Sequence, residues 1–265
     1  MPIFLLSLSS VRQIRAFFMP KIMNQQYKKY TKQDHLVWDC LFERQAINLP
    51  GKVCEEYLTS LGMLKKGLFQ SNIPDFDKLD KELSQLEGWT IEVVPGLIPV
   101  DEFFDLLARK KFCSSTWLRK MNELDYLEEP DMFHDIFGHI PLLAHKPYSD
   151  FIEKFGQIGK ENAHDPQIVL QLQRLYWFTI EFGLIRQDNQ LRIYGAGIIS
   201  SFSESNAIFS TEAEIRPFNL QEIIDREFET DKIQDRYFVI ESFEQLYLSL
   251  EEFKNKILEK SITLN

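Results

Sequence analysis

Two histidines and one glutamate are the residues of this chain whose types and spacing could bind a metal. His134 and His139 lie five residues apart in the segment EEPDMFHDIFGHIPLL, and Glu181 follows further along in YWFTIEFGL. Two neutral imidazoles and one carboxylate form the ligand set that holds non-haem Fe(II) and leaves coordination positions open for oxygen and substrate. The three residues therefore suggest an iron enzyme that uses O2.

The spacing of the two histidines does not fit one face of an α-helix. At 3.6 residues per turn, five residues rotate a side chain by about 140°, so the helix must loosen or end between His134 and His139 if both are to reach one ion. Gly138 and Pro141 could allow this, because glycine tolerates non-helical angles and proline cannot continue a helix. The alternative is two packed histidines in an apolar helix, because HxxxxH alone is a weak motif.

The apolar neighbours of Glu181 indicate a buried carboxylate, which needs a partner. A metal with two histidine ligands would supply one, and so would an ion pair with Arg174 or Arg186. Trp177 lies one helical turn earlier and could be a core residue or a flat wall beside the metal. Arg119 could be solvated, or it could bind a substrate carboxylate through its guanidinium fork. The residues alone leave these alternatives open.

Composition and motifs exclude several classes of protein. The chain has 265 residues, 44% of them hydrophobic, and a net charge of −10, which argues against nucleic acid as a partner because phosphate binding needs a basic surface. Three widely spaced cysteines without CxxC spacing fit reduced thiols in the cytoplasm. The HExxH motif of zinc hydrolases is absent, and GAGIISS lacks the GxGxxG order of a dinucleotide site.

Helix signals dominate the elements that must position these residues. Thr31 and Asp34 form a possible capping box, Gly88 is placed to end an amphipathic helix, and Asp165 with Pro166 marks the start of the helix that leads to Glu181. The segments WTIEVVPG, LRIYGAG and RYFVIES are predicted to be short strands. They do not alternate regularly with helices, so a doubly wound parallel sheet is not expected. We predict one domain that is mainly α with a small β component.

Residues 1–22 are expected to lie outside this domain. The segment is apolar first and basic afterwards, which is the reverse of a secretory signal, and Arg12 and Arg15 interrupt it before it could span a bilayer. We expect an N-terminal extension that is disordered or not translated, with Met19 or Met23 as alternative starts. A short amphipathic helix lying on the surface is the alternative. The protein is expected to be cytoplasmic.

Taken together, these segments resemble the pterin-dependent aromatic amino acid hydroxylases, in particular their single-domain bacterial branch that acts on phenylalanine. The resemblance covers roughly residues 29–255. It is carried by PDxxHDxxGHxP followed by YWFTxEFGL, and by HLVWDCLFERQ, VVPGLIPVDEFF, YGAGIISSFSE and FVIESFEQL. It implies that His134, His139 and Glu181 bind Fe(II), and that residues 23–265 form a hydroxylase-like catalytic domain.

The resemblance also implies roles for residues around the iron. Arg119 would clasp the carboxylate of the amino acid substrate, Ser200 would add a hydroxyl near that end, and Trp177 and Pro130 would line the aromatic pocket. Glu129 would lie near the pterin and the iron. The residues that would hold the pterin, which is tetrahydrobiopterin or a related tetrahydropterin, are Gly96, Leu97, Ile98 and Phe103, with Tyr176 on its other side.

The implied reaction converts L-phenylalanine to L-tyrosine with O2 and a tetrahydropterin as co-substrate, in a monomer without nucleic acid or membrane partners. Cys113 and Leu127 stand where animal members of the family have His and Thr, which leaves details of the pterin and substrate contacts open. Three alternatives remain. Tryptophan or tyrosine could be the substrate, the domain could bind metal without turnover, or the histidines could be packed in a structural domain.

Overall fold

A computed structural model describes residues 23–64, 72–125, 127, 129–209, 213–230 and 234–263. The extension expected over residues 1–22 lies outside them. The mainly helical fold with small sheets confirms the predicted fold class. The α-helices are α1 (Lys32–Asn48), α2 (Glu55–Met63), α3 (Phe76–Leu86), α4 (Val100–Ala108), α5 (Ile140–Leu143), α6 (Lys146–Asn162), α7 (Pro166–Tyr176), α8 (Ala196–Ile199), α9 (Phe202–Ala207), α10 (Leu220–Asp225) and α11 (Phe243–Thr263). The strands are β1 (Thr90–Val93), β2 (Lys111–Ser114), β3 (Leu184–Gln187), β4 (Gln190–Ile193), β5 (Glu214–Pro217) and β6 (Arg236–Ile240).

The helix ends predicted from the sequence are present. The Thr31 side chain accepts the N–H of Asp34 at 3.2 Å, and the Asp34 carboxylate accepts the N–H of Thr31 at 2.7 Å, which completes the capping box of α1. Asp165 accepts backbone N–H groups of the first turn of α7, where Pro166 is the first residue. Gly88 follows α3 with a φ of +78°, a left-handed conformation that glycine adopts without strain.

The six strands form two small sheets. β1 and β2 are parallel and are connected through α4, whereas the second sheet has the order β4-β3-β6-β5. In that sheet β3 and β4 form a hairpin whose turn residues Asp188 and Asn189 both have positive φ, as a tight two-residue turn requires. β6 pairs in parallel with β3 and with β5. The three predicted strands are β1, β4 and β6, and the sequence did not predict their partners.

A π-helix over His134–His139 provides the loosening that the histidine spacing required. Pro141 has no N–H, so the carbonyl of Phe137 lacks the bond that an α-helix would give it. The hydroxyl of Tyr57 donates to that carbonyl at 2.8 Å instead. Gly138 does not adopt a left-handed conformation. Its role is close packing, because a Cβ there would lie 3.0 Å from the carbonyl oxygen of Ala196.

A second π-helix over Trp177–Glu181 carries the carboxylate. The N–H of Phe182 bonds to the carbonyl of Trp177 at 3.0 Å, which is the i→i+5 pattern of this winding. The hydroxyl of Thr179 donates to the carbonyl of Leu175, so a side chain occupies an acceptor that an α-helix would use for its own backbone. α8 packs against both π-helices and thereby joins the two halves of the site.

Cys40, Cys54 and Cys113 are free thiols, as the sequence predicted. In the part of the chain that the structure describes, none of the helices combines the length and the apolar character that a bilayer crossing requires.

A buried carboxyl connects α9 with β6. Glu204 is 9% exposed, and its carboxylate accepts the hydroxyl of Tyr237 at 2.9 Å and the backbone N–H of Gln234 at 3.3 Å. Burial raises the pKa of Glu204 from 4.5 to about 6, although the two hydrogen bonds partly offset this. The ionised form of this group is therefore destabilised by folding.

The raised pKa of Glu204 predicts a pH dependence that a glutamine would remove. A carboxyl whose pKa is higher in the folded state favours folding most at pH values below 4.5, and this contribution disappears as the pH rises through about 6. Between pH 4 and pH 7, the free energy of unfolding of the unmodified protein should therefore fall by about 2 kcal/mol relative to Glu204→Gln. Urea unfolding of both proteins measures this, and an equal difference at the two pH values would contradict it.

Candidate metal centre

The three residues proposed as metal ligands meet at one point. Nε2 of His139 lies 3.1 Å from Nε2 of His134 and 3.3 Å from Oε1 of Glu181, and His134 Nε2 lies 3.5 Å from Glu181 Oε2. The side chains of His139 and Glu181 are 2% and 4% exposed, and that of His134 is 12% exposed. The site is therefore buried but reachable from the side of His134.

Ser200 determines which nitrogen of His134 carries the proton. The Ser200 hydroxyl donates to the carbonyl of Ala196 at 2.8 Å, so its oxygen is left to accept a hydrogen bond. Nδ1 of His134 lies 2.9 Å from that oxygen and therefore carries the hydrogen. Nε2 is then unprotonated and directs its lone pair towards Glu181, which is the tautomer that a metal ligand needs.

The protonation of the other two ligands also suits a metal. Burial raises the pKa of Glu181, but the imidazoles of His139 and His134 outweigh that effect and hold the pKa well below its usual range. Burial lowers the pKa of His139, although Glu181 opposes this. At neutral pH the site therefore presents one carboxylate and a neutral His139.

This donor set fits a divalent metal ion. Glu181 Oε1 is buried, forms no hydrogen bond within the described part of the chain and lies 3.3 Å from His139 Nε2, so it faces the point where an ion would bind. The ion pairs that were the alternative partners of Glu181 do not form, because Arg174 donates to the carbonyl of Ile224 and Arg186 pairs with Glu241. The donor atoms of the two imidazoles and the carboxylate lie 3.1–3.5 Å apart, and a cation bound between them would stabilise this arrangement. Among the described residues, the donor atoms that meet at this site come from His134, His139 and Glu181, and none of them is a thiolate.

Arg119 lies beside the first π-helix in a buried ion pair that the sequence did not predict. Its Nε and Nη2 donate to the two oxygens of Asp131 at 2.8 and 2.9 Å, and Asp131 also accepts the backbone N–H of His134 at 3.1 Å. These side chains are 7% and 0% exposed, and the pair holds the pKa of Asp131 below its ordinary value despite burial. Nη1 makes one long bond to the carbonyl of Leu124. Two of the five N–H groups of Arg119 thus have no partner among the described residues.

Trp177 is a buried residue next to the carboxylate ligand. It is 2% exposed, its ring stacks on Phe228 at 4.6 Å between centroids, and it packs against Phe182 at the same distance. Its indole N–H donates to the side chain of Gln234 at 2.9 Å. Trp177 can therefore be a core residue and at the same time form a wall near the metal ligands.

The residues expected to hold the pterin fall into two groups. Phe103 and Tyr176 are buried and contact each other edge to face at 5.6 Å, and the ring of Tyr176 lies 6.3 Å from that of His139. Ile98 is also buried. The remaining residues border a small cavity, whose lining is Gly96, Leu97, Ser115, Glu129, Pro130 and Asp135.

Asp135 is the buried acid of this cavity. One oxygen accepts the backbone N–H of Ser115 at 2.9 Å, and the other has no hydrogen-bond partner within the described residues. Burial raises the pKa of Asp135 to about 7. A carboxyl that can either donate or accept at neutral pH suits a polar heterocycle with both kinds of group on its edge.

Two glycines of the GAG segment allow the carboxylate ligand to approach α8. A Cβ at Gly195 would lie 2.3 Å from the carbonyl oxygen of Glu181, and one at Gly197 would lie 3.0 Å from the ring of Phe182 and 3.2 Å from Glu181 Oε2. The glycines rejected as a dinucleotide motif therefore have a structural role at the metal centre.

Gly197→Ala should weaken metal binding without unfolding the protein. The added methyl group crowds Glu181 Oε2 by a few tenths of an ångström, and displacing a ligand's support typically costs about 10–100-fold in metal affinity. We expect a loss of about tenfold, measured by titration with Fe(II) under nitrogen. Gly62→Ala is the control, because a Cβ there meets nothing within 4 Å, and it should keep full affinity. Equal affinity in both variants would contradict the assigned role of Gly197.

Three residues that support the site were not predicted from the sequence. Asp131 holds Arg119, Tyr57 supports the first π-helix, and Gly195 allows the approach of the second. Asp131 had a local signal, because it lies between Pro130 and an apolar pair directly before His134. The contact of Tyr57 joins residues 57 and 137 and has no local signal.

Comparisons with known proteins agree with this geometry. The family described as biopterin-dependent aromatic amino acid hydroxylase matches residues 19–265. The phenylalanine-4-hydroxylase of Ralstonia nicotianae is 48% identical over 69% of this chain and 58% of that protein. The matched part thus spans less than two thirds of that relative's length.

Two solved structures are similar over most of the chain. Phenylalanine hydroxylase from Chromobacterium violaceum with bound oxidized Fe(III) has a TM-score of 0.83 and 42% identity, covering 87% of this chain and 83% of that one. A second structure of that enzyme contains iron(III) and 7,8-dihydrobiopterin. It has a TM-score of 0.84 and 38% identity, covering 96% of this chain and 93% of the other.

Proposed function

The chain belongs to the biopterin-dependent aromatic amino acid hydroxylases, and on that premise we propose that it converts L-phenylalanine to L-tyrosine with Fe(II), a tetrahydropterin and O2. The observation that carries the proposal is the convergence of His134, His139 and Glu181, with donor atoms 3.1–3.5 Å apart. The Chromobacterium violaceum enzyme, whose fold this chain shares, binds iron and phenylalanine.

The protein's part in the reaction begins with the metal ligands. His134 and His139 would hold iron as neutral imidazoles, and Glu181 would supply the one negative charge. Ser200 keeps the hydrogen of His134 on Nδ1, so that Nε2 stays available. When bound, iron and the tetrahydropterin supply the electrons that activate O2 for attack on the ring.

Arg119 would orient the substrate. Asp131 fixes the guanidinium in place, and the two N–H groups of Arg119 without a partner among the described residues could bind a carboxylate in a bidentate manner. Held at this end, the amino acid would direct its ring towards the metal, where Trp177 and Pro130 would border it. Holding the reacting groups at a fixed distance is a large part of what such a site contributes to the rate.

The cavity bordered by Gly96, Leu97, Glu129, Pro130 and Asp135 is the proposed position of the pterin, and Pro130 would lie between the pterin and the substrate ring. The carboxyl of Asp135 could form hydrogen bonds with the polar edge of the heterocycle, and the backbone of Gly96 and Leu97 could approach it closely. Phe103, Ile98 and Tyr176 are buried and would supply the apolar, water-excluding side of the pterin site.

The decisive experiment is formation of tyrosine by the purified protein. It would be loaded with Fe(II) under nitrogen and then given phenylalanine, tetrahydrobiopterin and O2, with His139→Ala as the inactive control. Tyrosine in amounts equal to the pterin consumed supports the proposal. Pterin oxidation without tyrosine would favour a metal-binding domain without turnover, and the absence of stoichiometric iron would favour packed histidines.

Tryptophan and tyrosine are the alternative substrates, and the same assay with all three amino acids distinguishes them. We expect the protein to be a monomer, to lie in the cytoplasm and to bind no nucleic acid. The net charge of −10 supports the last of these points.

A further inference from the structure

The side chain of Gln234 connects the indole of Trp177 to the segment that precedes β6. Its oxygen accepts the indole N–H at 2.9 Å, and its N–H donates to the carbonyl of Glu229, also at 2.9 Å. Both ends of the amide are engaged, so its orientation is fixed. The position of the oxygen that meets Trp177 is therefore fixed as well.

Trp177 in turn contacts the surroundings of the metal ligands. Its ring lies 4.6 Å from that of Phe182, and Phe182 comes so close to Gly197 that a Cβ there would meet both the phenyl ring and the carboxylate of Glu181. On the other side, Phe228 stacks on the indole with an interplanar angle of 16°. A rotation of the indole would therefore displace the ring of Phe182, which already lies close to Glu181.

Glu204 holds the backbone of Gln234. Its carboxylate accepts the Gln234 N–H at 3.3 Å and the Tyr237 hydroxyl at 2.9 Å. The helix that carries Glu204 begins directly after Ser200 and Ser201, and Ser201 caps it by accepting the N–H of Glu204. Burial of the Glu204 carboxyl destabilises the folded protein at neutral pH, as its raised pKa shows. The contact between Glu204 and the backbone of Gln234 is therefore kept despite this cost in stability.

Loss of the acceptor on Gln234 would force the indole to move. A buried N–H without a partner is unfavourable, so the ring would rotate towards another acceptor or towards water. The indole is uncharged and packed between Phe182 and Phe228, so its rotation changes the shape of the apolar wall beside the metal. A wall that is less well defined would distinguish poorly between a phenyl ring and the larger indole of a tryptophan substrate.

We propose that Gln234 is a positioning residue that fixes the indole of Trp177 and thereby sets the preference of the site for phenylalanine over tryptophan. This inference rests on the proposed function. Gln234 acts through Trp177 and Phe182, because it accepts the indole N–H of Trp177 and the indole packs against Phe182.

The first test observes the indole directly and needs neither iron nor turnover. The N–H resonance of Trp177, one of four tryptophans, is assigned in NMR spectra by its absence from Trp177→Phe. In Gln234→Leu this resonance should shift and exchange faster with solvent. Gln234→Glu keeps an acceptor oxygen but loses the N–H that bonds to the Glu229 carbonyl, so it should restore the resonance in part.

Gln187→Leu is the matched control for this test. Gln187 is half-buried like Gln234, accepts the N–H of Glu55 at 3.1 Å and donates to Glu56 at 2.6 Å, but it lies on the β3–β4 hairpin against α2. Its replacement should leave the Trp177 resonance unchanged. A resonance that is the same in Gln234→Leu and in the unmodified protein would overturn the inference.

The second test measures substrate preference in the iron-loaded enzyme. In Gln234→Leu, kcat/KM for phenylalanine should fall about fivefold to tenfold, the effect expected from one lost hydrogen bond. The fall should come mainly from a higher KM, and kcat/KM for tryptophan should fall less, so the preference ratio decreases. Gln234→Glu should recover part of the ratio, because it keeps the acceptor for the indole but loses the N–H that bonds to the Glu229 carbonyl. The KM for tetrahydropterin and the iron content should not change in either variant.

The outcomes separate this inference from the function on which it rests. No tyrosine from the unmodified, iron-loaded protein would overturn the proposed function. Tyrosine from the unmodified protein, together with an unchanged preference ratio in Gln234→Leu, would overturn the role of Gln234 alone. A ratio that is lowered equally in Gln234→Leu and Gln234→Glu would also overturn it, because the acceptor oxygen would then not matter.

Discussion

Glu181→Gln is expected to reduce affinity for Fe(II) by more than about 100-fold, since even the outer partners of metal ligands contribute 10–100-fold. The amide keeps the size of the side chain but removes the only negative charge among the three donor groups. Tyrosine formation should fall in the same proportion, because iron would no longer be retained at working concentrations.

Thermal unfolding with and without Fe(II) distinguishes lost binding from lost folding. Iron at about 100 times its dissociation constant should stabilise the unmodified protein by roughly 2.7 kcal/mol, and Glu181→Gln should gain almost nothing. Glu204→Gln is a control of the same chemical change at another buried carboxyl, and its iron content should be normal. Normal iron content in Glu181→Gln would show that this carboxylate is not a ligand.

Arg119→Ala is expected to raise the apparent KM for phenylalanine about 100-fold, which corresponds to roughly 3 kcal/mol for a lost bidentate, charge-assisted contact. The variant should also be less stable by about 3–5 kcal/mol, because it leaves the buried carboxylate of Asp131 without its partner. Iron content at saturating Fe(II) should be unchanged. Steady-state kinetics measures the first effect. The assay is run at roughly 15–25 °C, because small domains usually unfold at higher temperatures and the variant should then stay folded.

A double variant separates these two effects of Arg119. Arg119→Ala combined with Asp131→Asn removes the orphaned charge, so much of the stability should return while the KM stays high. Arg186→Ala removes an exposed ion pair with Glu241, which should contribute little, and serves as the control. Recovery of a normal KM in the double variant would show that Arg119 acts through folding and not through the substrate.

The elements with local signals were predictable from the sequence. The capping box of Thr31 and Asp34, the start of α7 at Pro166 and the end of α3 before Gly88 follow from single residues whose backbone preferences are strong. Strand β5 was not predictable, because it is four residues long and three of them are exposed, so it lacks an alternating apolar pattern. Its place in the sheet depends on pairing with β6.

The candidate site was predictable in its ligand types but not in its supports. The family motif identified His134, His139 and Glu181, and the spacing of the histidines showed that an α-helix had to be interrupted. The means of interruption depended on contacts distant in sequence, such as the hydroxyl of Tyr57 on the carbonyl of Phe137. The partner of Arg119 and the hydroxyl that fixes the tautomer of His134 were likewise visible only in three dimensions.

In both ligand-bearing segments each backbone hydrogen bond spans five residues, one more than in the neighbouring α-helices. The winding of each segment and its number of residues are therefore linked. Removing a single residue between His134 and His139 would leave them four residues apart, and an ordinary α-helix holds residues at that spacing on one face. In comparisons with more distant proteins, a one-residue gap between the two histidines is thus compatible with a metal centre where the segment is α-helical, whereas an α-helix that keeps the five-residue spacing would turn one histidine away from the ion.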